Sequence, residues 1–508
     1  MATPLPSQTI IAVVGAGAMG AGIAQVAAVA GHPVRLLDNR PDVAARAVAG
    51  IRAQLMKLAE KGRLTAADAA AAGMRLIPAH EIANLAGAGL VVEAIVEDLA
   101  EKQALLADLE GIVGRDCILG TNTSSISVTA IGAALRHPER LAGLHFFNPA
   151  PLMALVEVVS GLATDPAVAE TLFATAAAWG KTPVHAKSTP GFIVNRIARP
   201  YYAEALRLVQ EGAADCATID AVMRETGGFR MGPFELMDLI GLDVNFAVTR
   251  SVWRAFFHDP RFLPSLLQQD LVDAGRLGRK SGRGFHDYRE GAAPPVAASE
   301  PAQPVPAEIA LCGTSTATTA LAARLAAAGI SCERRAASDG RIAEADGAAL
   351  YVGDGRSATR RAAESGNADT VLIDLALDYG TVTRVAVAAA EQCRPAAVSS
   401  AVGLLQAAGI TVSRFNDVPG LAVMRTVAML ANEAADAVNQ GVCSAAAADS
   451  ALCLGVNYPR GPLAWADAIG LPVVRDVLAH LGAAYGEDRY RISPLLHQKV
   501  FAARKFHD

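Results

Sequence analysis

A basic surplus is missing from this sequence. Its 45 Lys and Arg face 50 Asp and Glu, for a formal net charge of −5 and an isoelectric point near 6.1. That balance argues against a nucleic-acid partner, whose binders present a basic surface. Cysteine is sparse: there are seven, with no C-x-x-C and no Cys/His ligand spacing. They read as reduced thiols of a cytoplasmic protein, and neither a disulfide framework nor a metal site is expected. Charged residues are only 19% against 52% apolar, which excludes wholesale disorder. Mean hydropathy is +0.29, but alanine supplies the excess. No uninterrupted apolar run reaches the ~18 residues of a membrane span, so no membrane association is expected. The opening MATPLPSQTI lacks the basic start of a signal peptide and leads into a strand.

What is present suffices for more than one core. At roughly 100–200 residues per domain, 508 residues predict about three or four domains. Thr9–Val14 is a short β-branched run that stops at glycine, as buried parallel strands do. A helical stretch from Met19 to Gly31 follows, then the strand PVRLLD, an alanine-rich helix, the strand GLVVEAI, a helix from about Leu99, and CILGTNTSS. This alternation predicts a doubly wound parallel α/β sheet of Rossmann type over 1–188. From Ser188-Thr189-Pro190-Gly191 the pattern turns helical, giving an all-α domain over 189–289. Residues 290–307 (EGAAPPVAASEPAQPVPA, from Glu290) read as an extended Pro/Ala linker. Strand, turn and helix return at IALCGTSTATTALAARLAAAGISC. The turn Gly313-Thr314-Ser315-Thr316-Ala317-Thr318 lacks two of the glycines that a phosphate site needs, so 308–412 is predicted to be a degenerate Rossmann-like half-domain.

Residues 413–508 repeat the helical domain. Pro190-Gly191 matches Pro419-Gly420, Arg196 matches Arg425, Glu204 matches Glu433 and Gly232-Pro233 matches Gly461-Pro462. Asp238 matches Asp467, and Ile240-Gly241-Leu242 matches Ile469-Gly470-Leu471, all offset by ~229 positions without a gap. Asn195 becomes Met424, so the second copy is expected to be non-catalytic. An apolar helical face needs a cover. The tandem copy is therefore expected to pack on residues 189–288 as an internal pseudo-dimer, with a homodimer of the whole chain left open.

Gly15-Ala16-Gly17-Ala18-Met19-Gly20 follows a strand and opens a helix. The first glycine permits the turn, the second lets a pyrophosphate approach the backbone, and the third allows close packing of helix on strand. Asp38 ends the second strand ~18 residues past the last glycine, where an acid accepts from a ribose 2′-OH. The register predicts NAD rather than NADP, because a carboxylate repels a 2′-phosphate; Arg40 is the nearby cation. Glu97 and Lys102 follow the GLVVEAI strand, and on pattern alone read as solvated charges at a helix start.

Thr121-Asn122-Thr123-Ser124-Ser125 places short hydrogen-bonding side chains at a strand end. Gly143-Leu144-His145-Phe146-Phe147-Asn148-Pro149 places a histidine in an apolar strand, and Glu157 lies in the next one. A carboxylate buried there needs a partner, since an unpaired charge costs several kcal/mol. A Glu157–His145 pair would fix the imidazole tautomer and leave the other nitrogen as a base near neutral pH. Ser124 could hold the same substrate oxygen. A structural His–Glu bridge with a Thr/Ser-rich turn fits the pattern equally.

The chain resembles the 3-hydroxyacyl-CoA dehydrogenase family in VVGAGAMGAGIAQVAA, VVEAIVEDLAEK, TNTSSISVTAI, RLAGLHFFNPAPLMALVEVVSG and STPGFIVNRI. Its two-unit length and the closing GVNYPRGPLAWA are similar to the long bacterial enzymes of phenylacetate degradation, which act on 3-hydroxyadipyl-CoA and often 3-hydroxybutyryl-CoA. The resemblance implies NAD-dependent oxidation of a 3-hydroxyacyl-CoA. It implies His145 as general base, Glu157 as its orienting partner, and Ser124 and Asn195 around the substrate oxygen and thioester. It also implies cofactor contacts at Gly15, Gly17, Met19, Gly20, Asp38, Glu97, Lys102, Asn122, Asn148 and Lys280. The CoA phosphates would meet a basic helix, with Lys57, Lys61 and Arg63 as local candidates or, alternatively, an ordinary solvated face. The competing function is a non-catalytic, crystallin-like relative that keeps the NAD site; the presence of Ser124, His145, Glu157 and Asn195 favours the enzyme. A 3-hydroxyacid dehydrogenase with a lysine base is disfavoured by the histidine at that strand.

Overall fold

Short buried strands separated by helices build an eight-stranded sheet in the first half of the chain. Its strands are β1 (Ile11–Val14), β2 (Val34–Leu37), β3 (Leu76–Pro78), β4 (Leu90–Glu93), β5 (Ile118–Thr121), β6 (Leu141–Phe146), β7 (Leu155–Ser160) and β8 (Thr182–Lys187). The order is β3-β2-β1-β4-β5-β6-β7-β8. This is a computed structural model, and it describes residues 3–508. The chain divides into two compact units. One runs to Arg196 and includes Gln440–Val456; the other holds Ile197–Asn439 and Asn457–Asp508.

In the first unit β1, β4 and β5 are buried along their whole length, because helices cover both faces. Ile11, Val13, Leu36, Leu90 and Val92 lie at the centre of this core. The strand order reverses between β1 and β4, and ligands of open α/β sheets bind beyond the carboxyl ends of the strands at such a point. The sheet is not wholly parallel: β6 and β7 pair antiparallel. The connection between them holds about eight residues, too few for the crossover of about a dozen that a parallel return needs. The hairpin makes His145 and Glu157 register partners.

Residues 440–456, part of the second helical repeat by sequence, belong to the first unit, where the helix Ala445–Val456 packs on β7 and β8. The Lys187 N–H donates to the Val442 carbonyl at 2.9 Å, and Arg196 Nη1 donates to Gln440 Oε1 at 2.9 Å. A Cβ on Gly455 would stand 2.8 Å from Leu155 Cδ2 and 3.1 Å from Val194 Cγ2, so glycine sets how closely this helix approaches.

The second unit carries a seven-stranded sheet of β9 (Ile309–Cys312), β10 (Glu333–Arg335), β11 (Arg341–Ala345), β12 (Ala348–Val352), β13 (Thr370–Ile373), β14 (Arg384–Ala389) and β15 (Thr411–Arg414). Its order is β10-β9-β11-β12-β13-β14-β15. The extra strand β11 runs antiparallel to both β9 and β12 and separates them, whereas β1 and β4 pair directly in the first sheet. The ~229-residue offset reaches further upstream than the helical punctuation, for it aligns β7 with β14 and the helix Pro166–Ala178 with Pro395–Ala407. The His145 position then falls on Asp374 and the Glu157 position on Ala386.

The helices Arg199–Gln210 and Val423–Asn439 pack together in this unit. Arg425 Nε meets Glu204 Oε2 at 2.6 Å with both side chains fully buried, and Arg261 Nη1 meets Glu433 Oε2 at 3.0 Å. The Pro/Ala linker is docked rather than free. The Glu300 N–H donates to the Val412 carbonyl on β15, Ser413 Oγ donates to the Ala298 carbonyl, and the Gln303 N–H donates to Gln406 Oε1. An extended Pro-rich backbone makes no internal hydrogen bonds, so its polar groups are available to an edge strand. Among the described residues no helix is long and apolar enough to cross a membrane.

Candidate active site

The register of β6 and β7 brings His145 Nδ1 to 2.6 Å from Glu157 Oε2, with the histidine 5% exposed and the glutamate fully buried. Glu157 Oε1 accepts the N–H groups of Ile193 and Val194, both at 3.0 Å. One carboxylate thus orients the imidazole and caps the start of the helix Val194–Ile197, which carries Asn195. With Nδ1 donating to a carboxylate, Nε2 keeps its lone pair, the state a general base requires. The Phe147 ring lies 4.5 Å from the imidazole and Phe192 5.8 Å, so apolar surfaces fix its plane. Asn195 Nδ2 donates to the Ser124 carbonyl at 3.5 Å, which links this helix start to the TNTSS turn.

Glu97 organises that turn. Its Oε1 accepts from Thr123 Oγ1 at 2.7 Å, Ser124 N at 2.9 Å, Ser125 N at 3.0 Å and Ser125 Oγ at 2.9 Å. Ser124 Oγ lies 3.4 Å from the same oxygen. Burial raises the Glu97 carboxyl, but Lys102 and these donors outweigh it and hold its pKa below the ordinary value. Lys102 is 1% exposed, so it is no solvated helix-start charge. Its Nζ meets Glu93 Oε1 at 2.6 Å and Glu97 Oε2 at 3.3 Å. Asn122 Oδ1 accepts the Phe146 N–H at 2.8 Å and ties the turn to the strand of His145. Asn148 is exposed just past that strand.

The glycine turn fits a dinucleotide. Gly15 has φ +100°, and a Cβ there would stand 2.4 Å from the Ala94 carbonyl oxygen; a Cβ on Gly20 would overlap the Gly15 carbonyl. A Cβ on Gly17 would meet nothing within 4 Å, so the space over the turn is open where a pyrophosphate must approach. Met19 is half-buried at the start of the helix Ala18–Val29. Asp38 Oδ2 accepts the Ala16 N–H at 2.9 Å, and Oδ1 pairs with Arg40 Nε at 3.0 Å. The Arg40 hydrogen bond, opposed by burial and aided by the Ala16 N–H, lowers the Asp38 pKa. Asp38 therefore keeps its charge at neutral pH beside a hollow of about 300 Å³ lined also by Asn39, Pro78 and His80. Lys57, Lys61 and Arg63 are exposed at the end of the helix Val43–Glu60 and just past it. Lys280 belongs to the second unit, where its Nζ bonds Asp243 Oδ2 at 2.7 Å.

Three features escaped the sequence reading. Glu93, fully buried at the end of β4, accepts from Lys102, from Thr121 Oγ1 at 2.6 Å and from Ile95 N at 2.8 Å. The visible signal was a carboxylate closing the apolar run LVVE. The helix Ala445–Val456 lies against the strand of Glu157, and no local signal marks it. Asp374, at the histidine position of the second copy, accepts the N–H groups of Ala422 and Val423 on Oδ2 at 2.9 and 2.7 Å. Its Oδ1 accepts from Met424 at 3.0 Å and Leu375 at 2.9 Å. It takes the cap position that Glu157 fills in the first copy, without an imidazole.

Comparisons with known proteins cover nearly the whole chain. The NAD-binding domain of 3-hydroxyacyl-CoA dehydrogenase matches residues 10–189, and the C-terminal domain of that family matches 191–288 and again 420–506. The reduced Rossmann-fold domain of 3-hydroxybutyryl-CoA dehydrogenase matches 350–419. The 3-hydroxyadipyl-CoA dehydrogenase of Escherichia coli (strain K12) is 46% identical over 493 residues, 96% of this chain and 97% of its own. A probable 3-hydroxybutyryl-CoA dehydrogenase of Bacillus subtilis (strain 168) is 41% identical over 280 residues, 55% of this chain and 97% of its own. The crystal structure of 3-hydroxybutyryl-CoA dehydrogenase from Escherichia coli K12 superposes with a TM-score of 0.89 at 45% identity, covering 98% of this chain and 99% of that one.

Proposed function

The chain belongs to the 3-hydroxyacyl-CoA dehydrogenase family and is an NAD-dependent oxidoreductase acting on a CH–OH donor, and on that premise we propose that it oxidises (S)-3-hydroxyadipyl-CoA or (S)-3-hydroxybutyryl-CoA to the 3-oxoacyl-CoA with His145 as general base. The observation that carries this reading is the 2.6 Å Nδ1–Oε2 bond of His145 to a buried carboxylate. Nε2 takes the proton of the C3 hydroxyl, and Glu157 stabilises the imidazolium that results. Bound NAD supplies the acceptor for the hydride that leaves C3. Ser124 and Asn195 hold the substrate oxygen and thioester. Glu97 and Asn122 fix the turn that presents Ser124; Asn122 and Asn148 lie near the nicotinamide end, and Met19, Glu97 and Lys102 are further cofactor contacts. Gly15, Gly17, Gly20 and Asp38 hold the pyrophosphate and ribose, and Lys57 and Lys61 attract the CoA phosphates.

The domain reading is 1–188 for NAD, 189–289 for the first helical domain, 290–307 for the linker, 308–412 for the degenerate half-domain and 413–508 for the second helical domain. The helical copies act as an internal pseudo-dimer, a reading supported by the buried Arg425–Glu204 pair between the helices Arg199–Gln210 and Val423–Asn439. The whole chain works in the cytoplasm, as a monomer or a homodimer. The direct test mixes the protein with NADH and acetoacetyl-CoA and follows absorbance. Consumption of NADH is expected; NADH binding without consumption would establish the non-catalytic alternative.

A further inference from the structure

The second unit contains a cavity of about 190 Å³ whose wall includes Arg199, Arg207, Arg489, Ser265 and Thr249, with Phe262 on its apolar side. No carboxylate lines it. Arg199 is 6% exposed, and among the described residues no acid stands within ion-pair distance of it. Its Nη1 donates to Thr249 Oγ1 at 3.1 Å, its guanidinium lies 5.0 Å above the Tyr202 ring, and its Nε has no partner. Burial pulls its pKa below the usual arginine value against the opposing effect of Tyr202 and Tyr458, yet an arginine remains charged at neutral pH. A charge buried without a counter-ion costs several kcal/mol.

The rest of the wall adds a second buried guanidinium and a hydroxyl. The Arg489 side chain is 6% exposed, and its Nε makes no hydrogen bond, standing 3.6 Å from Glu487 Oε2. Both oxygens of Glu487 already accept from Arg207 Nη2, at 3.0 and 2.8 Å. Ser265 precedes the helix Leu266–Asp273, but its hydroxyl caps none of the helix amides and is buried without a partner. The cavity rim is apolar: Leu263 is 47% exposed and Leu266 72% exposed. One buried guanidinium without an acid, a second that shares Glu487 and the buried Glu204 with other arginines, an idle hydroxyl and an apolar rim describe one kind of occupant.

We propose that this cavity is a second binding site, taking a short-chain organic carboxylate whose head group meets Arg199, Arg489 and Ser265 and whose carbon chain lies against Phe262 and Leu266. Guanidinium groups bind carboxylates through paired N–H donors, a match that a spherical anion does not offer. All of the lining residues belong to the second unit, whereas His145, Glu157, Ser124 and Asn195 belong to the first.

The test is calorimetric titration of the full-length protein with sodium butyrate, at ionic strength held constant with chloride. One butyrate per chain is expected, bound more tightly than inorganic phosphate. Arg199→Met should weaken binding at least tenfold, while its melting temperature without butyrate stays level or rises, because it removes an unpaired buried charge. Ser265→Ala should weaken binding several-fold and decides the matter if the arginine variant does not fold. His145→Ala should bind as the wild type does. Absence of saturable heat, binding unaffected by both cavity variants, loss of binding in His145→Ala, or phosphate binding as tight as butyrate would each overturn the proposal.

Discussion

His145 and Glu157 face each other across an antiparallel ladder, with 2.6 Å between Nδ1 and Oε2. The same carboxylate receives the N–H groups of Ile193 and Val194, so the base and the helix bearing Asn195 share one anchor. In the second copy Asp374 performs the capping without a histidine. Capping a helix start and orienting a base are therefore separable tasks, and the first unit combines them in Glu157.

Lys102 lies between Glu93 and Glu97 and is almost wholly buried. Lys102→Met should destabilise the first unit by about 3–5 kcal/mol, the cost of leaving a buried charge without its partner. The double variant Glu93→Met with Lys102→Met should regain much of that loss. Urea denaturation of the three proteins measures this; a single variant as stable as the wild type would contradict it.

Glu97 should contribute to acid sensitivity. Its folded pKa lies below the ordinary 4.5, so the unfolded chain binds more protons as pH falls through this range. Its contribution is complete above about pH 4.5 and is lost as pH falls through the folded value. Melting temperatures of the wild type and Glu97→Gln should differ at pH 7 and converge toward pH 3. A difference that stayed constant would exclude the ionised carboxylate as the source.

Asp38 should set the choice of dinucleotide. NADPH should serve far worse than NADH, and Asp38→Ala should narrow the gap by raising kcat/KM with NADPH. Equal efficiency of the wild type with both cofactors would show that Arg40 neutralises Asp38 as a discriminator.

The second helical repeat should matter to a reaction whose chemistry lies in the first. Gly455→Val would press the helix Ala445–Val456 into Leu155 and Val194 and toward Phe147, the ring beside His145. Turnover should fall at least tenfold while NADH affinity stays within a factor of two. Truncation at about residue 290 removes that helix and uncovers Arg199–Gln210, and it should give aggregation or a compensating homodimer. A truncated monomer with full activity would contradict both statements.

Much of this was legible in the sequence where chemistry forces a partner or a turn. Gly15, Gly17 and Gly20 with Asp38 announce the phosphate turn, and a carboxylate alone in the strand LVEVV pointed to His145. The antiparallel return of β7 was encoded only in the shortness of its connection. The burial of Lys102 was hidden because Glu97 and Lys102, read along the chain, look like any helix start, and Glu93 supplies the missing partner only in three dimensions. The docking of residues 440–456 on β7 has no local signature, whereas the antiparallel β11–β12 hairpin was marked by Asp346-Gly347, the two residues of positive φ between its strands.

The central claim is that His145, held by Glu157, removes the hydroxyl proton. Its most direct test is the turnover of His145→Ala, measured by NADH absorbance with acetoacetyl-CoA, alongside NADH affinity by fluorescence quenching. Turnover should fall by roughly 10²–10⁴ with affinity nearly unchanged. Turnover within tenfold of the wild type, or loss of NADH binding together with unfolding, would contradict the account and leave the pair as a structural bridge.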